Sequence, residues 1–189
     1  RSFEVFNRDF LEMDIPDDVE CLVGNLPFEI SSDILEKAGK AQLPSTFIVQ
    51  DELADKVVAE PGDTNYNFFS FMMNYFFVPV KSSVIDSSNY YPEPEVQTAV
   101  LKLFPNSGRH GVDDEEEFLS FAKALFTHKR KKIRNAFVDA RNILGIEKDE
   151  AKEIRDDLPH SEKRANKVEI VEMKEIFEKF REFQEQKLN

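Results

Sequence analysis

The feature that most limits the possible folds is a change of hydrophobic period partway along the chain. Up to about residue 108, short apolar runs alternate with amphipathic stretches: "VECLVGN", then a segment with Ile34, Leu35 and Ala38 on one face, then "STFIVQ" (45–50), then "DELADKVVA". Short apolar runs bounded by turn residues read as buried strands, and apolar residues recurring at helical spacing read as helices. This part therefore predicts strand–helix alternation, the pattern of a doubly wound α/β domain with a parallel sheet. From Asp113 onward the period becomes helical, and "EEEFLSFAKALF", "KIRNAFVDARNIL", "KDEAKEIRDDL" and "EMKEIFEKFREFQ" predict four helices punctuated by Gly145 and Pro159. The expected organisation is an α/β part over 1–108 followed by a small all-helical domain over 113–189.

Finer expectations follow from local residues. "FEVFN" alternates and predicts a first strand before the "RDFLEMDIP" turn and loop. Ser31 or Ser32 is placed to cap the helix carrying Ile34, which is expected to end near Gly39. "EPGDTN" is a loop, and the aromatic "YNFFSFMMNYFFVPV" predicts a core helix running into a strand, its rings packing rather than holding a cofactor. "VQTAVLKLF" predicts a further strand near the sheet edge.

Composition narrows the function. With 41% apolar and 12% aromatic residues over 189 positions, the chain can build a real core. No run is long and apolar enough for a membrane span, and "RSFEVFNRDF" has neither a signal-peptide core nor an initiator Met, so no membrane or export route is expected. The single cysteine, Cys21, is expected as a small buried hydrophobe in a cytoplasmic protein. A net charge of −12 excludes indiscriminate nucleic-acid binding. The acidity lies mainly in residues 1–112, with 18 acidic against 8 basic side chains; the remainder has 19 against 17. Any RNA contact must then be local. The obvious candidate is "HKRKKIR", with Lys129, Arg130, Lys131, Lys132 and Arg134, expected on a helix where several can face phosphates together. His110, His128 and His160 are far apart and lack ligand spacing, so no metal is expected.

The stretches "RDFLEMDIPDDVECLVGNLPFEISSDIL", "VQDELADKVVAEPGDTNY", "NYYPEPEVQTAVLKLFP" and "FAKALFTHKRKKIRNAF" together resemble the ribosomal RNA adenine dimethyltransferases, in the order and at the spacing of that family. The resemblance is good from about residue 3 to 144 and coarse afterwards. It implies part of a Rossmann-like methyltransferase domain, S-adenosylmethionine as cofactor, small-subunit ribosomal RNA or the immature small ribosomal subunit as partner, and transfer of methyl groups to adenine N6.

"NLPF" suits that chemistry. The exocyclic amine of adenine is a poor nucleophile because its lone pair is delocalised into the ring. Two acceptors gripping its N–H groups stabilise the charge that develops on nitrogen in the transition state. The Asn25 amide oxygen and the Leu26 carbonyl can supply them, with Pro27 stiffening the turn. The resemblance implies that Phe28 and Tyr90, the latter ahead of Pro92 and Pro94, sandwich a base withdrawn from its stack, and that Asp9, Phe10 and Asn25 touch the cofactor. It also implies that the basic run docks RNA.

The chain departs from the family in three ways. It begins after the glycine-rich loop and the acidic residue that hold the methionine and ribose ends of the cofactor, so a fragment, or a partner chain supplying the N-terminal half, is expected. A basic residue is replaced at Asn67 or Phe68, and a lysine by Glu95, which predicts weaker RNA binding. The rival to the enzyme is a non-catalytic RNA-binding assembly factor of the small subunit, and a more distant one is a DNA adenine methyltransferase.

Overall fold

The computed structural model describes residues 3–106 and 111–188. They form two compact units, one of Arg1–Val58 with Phe76–Asn106 and the other of Ala59–Tyr75 with Ser107–Asn189. The division is discontinuous: residues 59–75, which the sequence placed in the α/β part, group with the C-terminal helices.

In the first unit, strand β1 (Leu22–Asn25) leads through a 3-10 turn (Phe28–Ile30) into helix α1 (Ser31–Ala41). Strand β2 (Ser45–Gln50) and helix α2 (Asp51–Val58) follow, and β3 (Phe77–Ile85) and β4 (Thr98–Pro105) complete the sheet in the order β1-β2-β4-β3. Only β1 and β2 are parallel, as a strand–helix–strand connection requires. The β2–β4 and β3–β4 pairs are antiparallel, so the expected parallel sheet is a mixed one. Strand β4 is flanked on both sides, with β3 and β1 at the edges. The alternation that made β4 look peripheral reports which face is wet, not how many neighbours a strand has.

Phe47, Val49, Ala99, Leu101 and Leu103 of the sheet are buried, as are Ile34, Leu35 and Ala38 of α1 and Ala54 and Val57 of α2. "FEVFN" forms no strand: no sheet edge accepts it, and Phe3, Val5 and Phe6 are exposed. Cys21 is exposed, one residue before β1 begins, which corrects its expected burial. Helix α1 runs two residues past Gly39 to Ala41, and Gln42 closes it in a left-handed conformation. A Cβ on Gly39 would lie 2.5 Å from Cδ2 and 2.8 Å from Cγ of Phe76. Gly39→Ala therefore forces helix or ring to move, which costs about 1–3 kcal/mol and outweighs a helix-propensity gain of about 1 kcal/mol. The urea midpoint should fall; an unchanged or higher midpoint would show that the approach is looser than this geometry.

The second unit contains helix α3 (Phe68–Phe76) up to Tyr75, α4 (Glu115–Phe126), α5 (Ile133–Ala140), α6 (Lys148–Ile154) and α7 (Ile170–Leu188). Asp114 caps α4 by accepting from the Glu117 N–H at 2.9 Å, and Glu147 and Glu150 form a capping box on α6. A chain of rings forms the core: Tyr66 and Phe71 meet Phe126, Phe71 and Tyr75 meet Phe118, and Phe118 continues through Phe177, Phe121 and Phe180 to Phe137. The aromatic run of α3 is packing material.

Candidate active site

The turn leaving β1 is held by two bonds. The Leu26 N–H donates to the Ile48 carbonyl at 3.0 Å, which carries the β1–β2 ladder one residue beyond the strand, and the Leu26 side chain is buried. Pro27, in extended conformation, lifts the chain off the sheet. Ser31 is buried and donates its hydroxyl to the Pro27 carbonyl at 2.7 Å, which ties the turn to the first residue of α1. This corrects the expected cap: Ile30 is the N-cap of α1, with no side-chain cap bond, and Ser31 lies inside the helix.

A cavity of about 300 Å³ opens at this turn, lined by Asn25, Leu26, Pro27 and Phe28 on one side and by Tyr90, Tyr91, Pro92, Pro94 and Thr98 on the other. It lies at the carboxyl end of β1, where α/β sheets place their ligands. Thr98 is buried at the start of β4, and its hydroxyl lies 2.6 Å from the Tyr90 hydroxyl, so the ring is held at both ends. At its base the Tyr90 N–H donates to the Ser87 carbonyl, in a turn capped by Asp86. The Ser88 hydroxyl and N–H next to Asp86 hold its carboxyl below the usual carboxylate range.

Two acceptors at this cavity are uncommitted. Asn25 is exposed, and its side-chain amide bonds to no described residue; nothing described donates to the Leu26 carbonyl. With the exposed Phe28 ring and the half-exposed Tyr90 ring they give a slot with flat walls and acceptors at its lip. Such a slot suits a planar ring that carries an amine.

Asn25, Leu26, Pro27, Phe28 and Tyr90 are thus brought together. Asp9 and Phe10 do not line this cavity; they form a separate turn in the same unit. There the exposed Asp9 carboxylate accepts from the Leu11 N–H at 2.8 Å, and its carbonyl accepts from the Glu12 N–H. Lys37 of α1 donates to the carbonyls of Phe10, Leu11 and Met13. Lys37 and Thr98 escaped the sequence reading, because a Lys or Thr is read from the sequence as a solvated face unless its partner is known.

Of the basic run, only Ile133 and Arg134 are helical, at the start of α5. Residues 127–131 form the turn between α4 and α5, and Lys132 bridges to Arg164. Most of its charge is engaged within the second unit: Lys129 donates to the Tyr66 carbonyl, Lys131 pairs with Asp139, and Lys132 and Arg134 share Glu162. Arg130 is exposed with no described partner. Among the described residues, no group of three or more His, Cys, Asp or Glu is placed to hold a metal, and no helix is long and apolar enough to cross a membrane.

A mixed sheet with its cavity at the carboxyl end of β1, together with helices grouped as a second unit, is a Rossmann-like architecture with a helical addition. A dimethyladenosine transferase from Plasmodium falciparum superposes with a TM-score of 0.81 at 19% identity, covering 96% of this chain and 73% of that one. The 23S rRNA methyltransferase ErmE superposes at 0.59, also at 19% identity, covering 93% of this chain and 71% of that one. The chain belongs to the ribosomal RNA adenine dimethylase family, whose model matches residues 1–181. Among its relatives is a probable ribosomal RNA small subunit methyltransferase A of Methanopyrus kandleri, 32% identical over 160 residues, which cover 84% of this chain and 58% of the relative. Another, from Thermococcus onnurineus, is 34% identical over 184 residues, covering 93% of this chain and 64% of the relative. The chain thus spans between half and two thirds of the length of the curated relatives it matches.

Proposed function

We propose that this chain carries the base-binding part, and the adenine end of the cofactor site, of an S-adenosylmethionine-dependent enzyme that dimethylates adenine N6 in small-subunit ribosomal RNA. The observation that carries the reading is the pair of uncommitted acceptors, Asn25 and Leu26, beside Phe28 and Tyr90 in one cavity. In this reading the two rings hold the flipped-out base and offset part of the cost of unstacking, about 1–3 kcal/mol per stacked base. The Asn25 oxygen and the Leu26 carbonyl accept from the amine and favour the charge that grows on it as it attacks an electrophilic methyl group in line. A bound S-adenosylmethionine supplies that methyl group. The Asp9 carboxylate suits its adenine end: it spends one acceptor site on the Leu11 N–H and is otherwise open to solvent.

The test is transfer of labelled methyl groups to immature small subunits by the full-length protein, followed by nucleoside analysis. N6,N6-dimethyladenosine supports the reading. Binding to the subunit with no transfer would replace it by a non-catalytic assembly factor, and transfer only to DNA adenine would replace the substrate.

RNA docking through the basic turn must compete with Glu162, Asp139 and Asp156 for its charges. Each phosphate contact adds about 0.7–0.9 to the slope of log Kobs against log salt, so wild type should show a shallow slope, near that of one or two contacts. Glu162→Gln releases Lys132 and Arg134. Tighter RNA binding and a slope steeper by about 1–2 are expected, and equal slopes for the two proteins would remove this turn from the RNA interface.

A further inference from the structure

The acidic chain pairs most of its surface lysines with carboxylates: Lys40 with Glu36, Lys56 with Glu52, Lys131 with Asp139. Lys37 is different. It is half-buried on α1 and has no carboxylate partner among the described residues. Its ammonium donates to the Phe10 carbonyl at 2.6 Å, the Leu11 carbonyl at 3.0 Å and the Met13 carbonyl, and it lies 5.0 Å from the centre of the Phe10 ring. An ammonium group has three donors, and all three are spent on one turn of backbone.

Few other hydrogen bonds hold that turn, although Phe10, Leu11, Met13 and Ile15 are half-buried. Residues 3–16 contain no helix or strand, and the other hydrogen bonds of the turn, from Leu11 and Glu12 to Asp9, are internal to it. Among the described residues, Lys37 makes every hydrogen bond that joins residues 3–16 to another element. These bonds are charge-assisted and converge on one nitrogen, a geometry that a planar guanidinium cannot reproduce. Lys37 also stands on the helix whose first residue, Ser31, is bonded to the Pro27 carbonyl of the cavity turn. One rigid helix therefore locks the "NLPF" turn at Ser31 and the Asp9–Met13 turn at Lys37, less than two helical turns later.

We propose that Lys37 is a positioning residue for cofactor binding: it holds the Asp9–Phe10 turn in the conformation that receives the adenine end of S-adenosylmethionine, and couples that turn through α1 to the base cavity. The inference rests on the cofactor reading given above. Without the ammonium the turn must be ordered at each binding event, which weakens affinity and leaves the reacting groups untouched.

The experiment compares wild type, Lys37→Met, Lys37→Arg and the surface control Lys40→Met in the full-length protein, by backbone hydrogen exchange and by calorimetric titration with S-adenosylhomocysteine. In Lys37→Met, exchange over 9–13 should quicken at least about tenfold and Kd should rise about tenfold, with kcat at saturating cofactor within about twofold of wild type. Lys37→Arg should restore little of the affinity, and Lys40→Met should match wild type. Unchanged exchange over 9–13, or faster exchange with unchanged Kd, would overturn the proposal while wild-type binding stands. Failure of wild type itself to bind the ligand would instead overturn the cofactor reading, and this inference with it. A general rise in exchange across α1 and the sheet would make Lys37 a stability residue and overturn the positioning role.

Discussion

Asn25→Ala should lower the rate of methyl transfer by about 10²–10³-fold or more while leaving the fold intact, since loss of one acceptor aimed at developing charge costs about 2.7–4 kcal/mol in the transition state. The two halves of this expectation have separate grounds. Asn25 pairs with Ile48 through its backbone alone, and its side chain is exposed and bonded to nothing described, so truncation breaks no structural contact. Substitutions of that kind change stability by no more than about 0.5 kcal/mol. The rate loss follows from the chemistry: an acceptor that meets the amine only at the cavity is worth most when the nitrogen becomes positive. Labelled-methyl transfer at saturating cofactor, with a urea titration beside it, separates the two. Asn25→Asp keeps an acceptor oxygen at the same reach and should retain more activity than Asn25→Ala. Near wild-type turnover in Asn25→Ala would mean that Asn25 is only a turn residue and that the acceptor pair is not the catalytic device.

Phe118→Ala should be the most destabilising single change, by about 3–5 kcal/mol. The ring is fully buried on α4, and its centroid lies 5.9 Å from that of Phe71, 5.5 Å from Tyr75 and 5.5 Å from Phe177. Its removal leaves a cavity where residues from three helices of the second unit meet, and rings interlocked at tilted and edge-on angles cannot slide in to fill it. A domain's whole stability is about 5–15 kcal/mol, so this unit should melt near ambient conditions in the variant. Phe118→Leu, which keeps most of the volume, should lose markedly less. Urea denaturation followed by a helix signal reads both; a loss below about 1 kcal/mol for Phe118→Ala would show that the ring chain repacks as a fluid core would.

What was legible in the sequence was what neighbours along the chain decide. The bounds of β2, 45–50, and of α4, 115–126, could be read to the residue because each segment carries its own period and its own stop: Pro44 before β2, Asp114 capping α4. The "NLPF" turn stood out for the same reason. Its residue types are an extravagance for a turn, and their surplus is chemical.

The misplaced elements failed where partners distant in sequence decide. "FEVFN" has a strand's alternation but pairs with neither edge strand, and a lone strand cannot satisfy its backbone. The basic run has a helix former's composition, yet Lys132 is taken into a bridge with Arg164 and its neighbours into ion pairs, so the chain turns there. Nothing in its local sequence distinguishes Lys37 from a solvated lysine, because its three carbonyl partners lie 24 to 27 residues away.

By itself, then, the sequence determined the period of every major helix, the α/β character of the first part and the identity of the cavity turn, because periodicity, caps and turn chemistry act over a few residues. Only the tertiary structure decided that β4 inserts between β2 and β3 and that residues 59–75 pack with the C-terminal helices. Those outcomes depend on which surfaces bury one another, a choice made by desolvation and backbone pairing between segments that the local pattern leaves open.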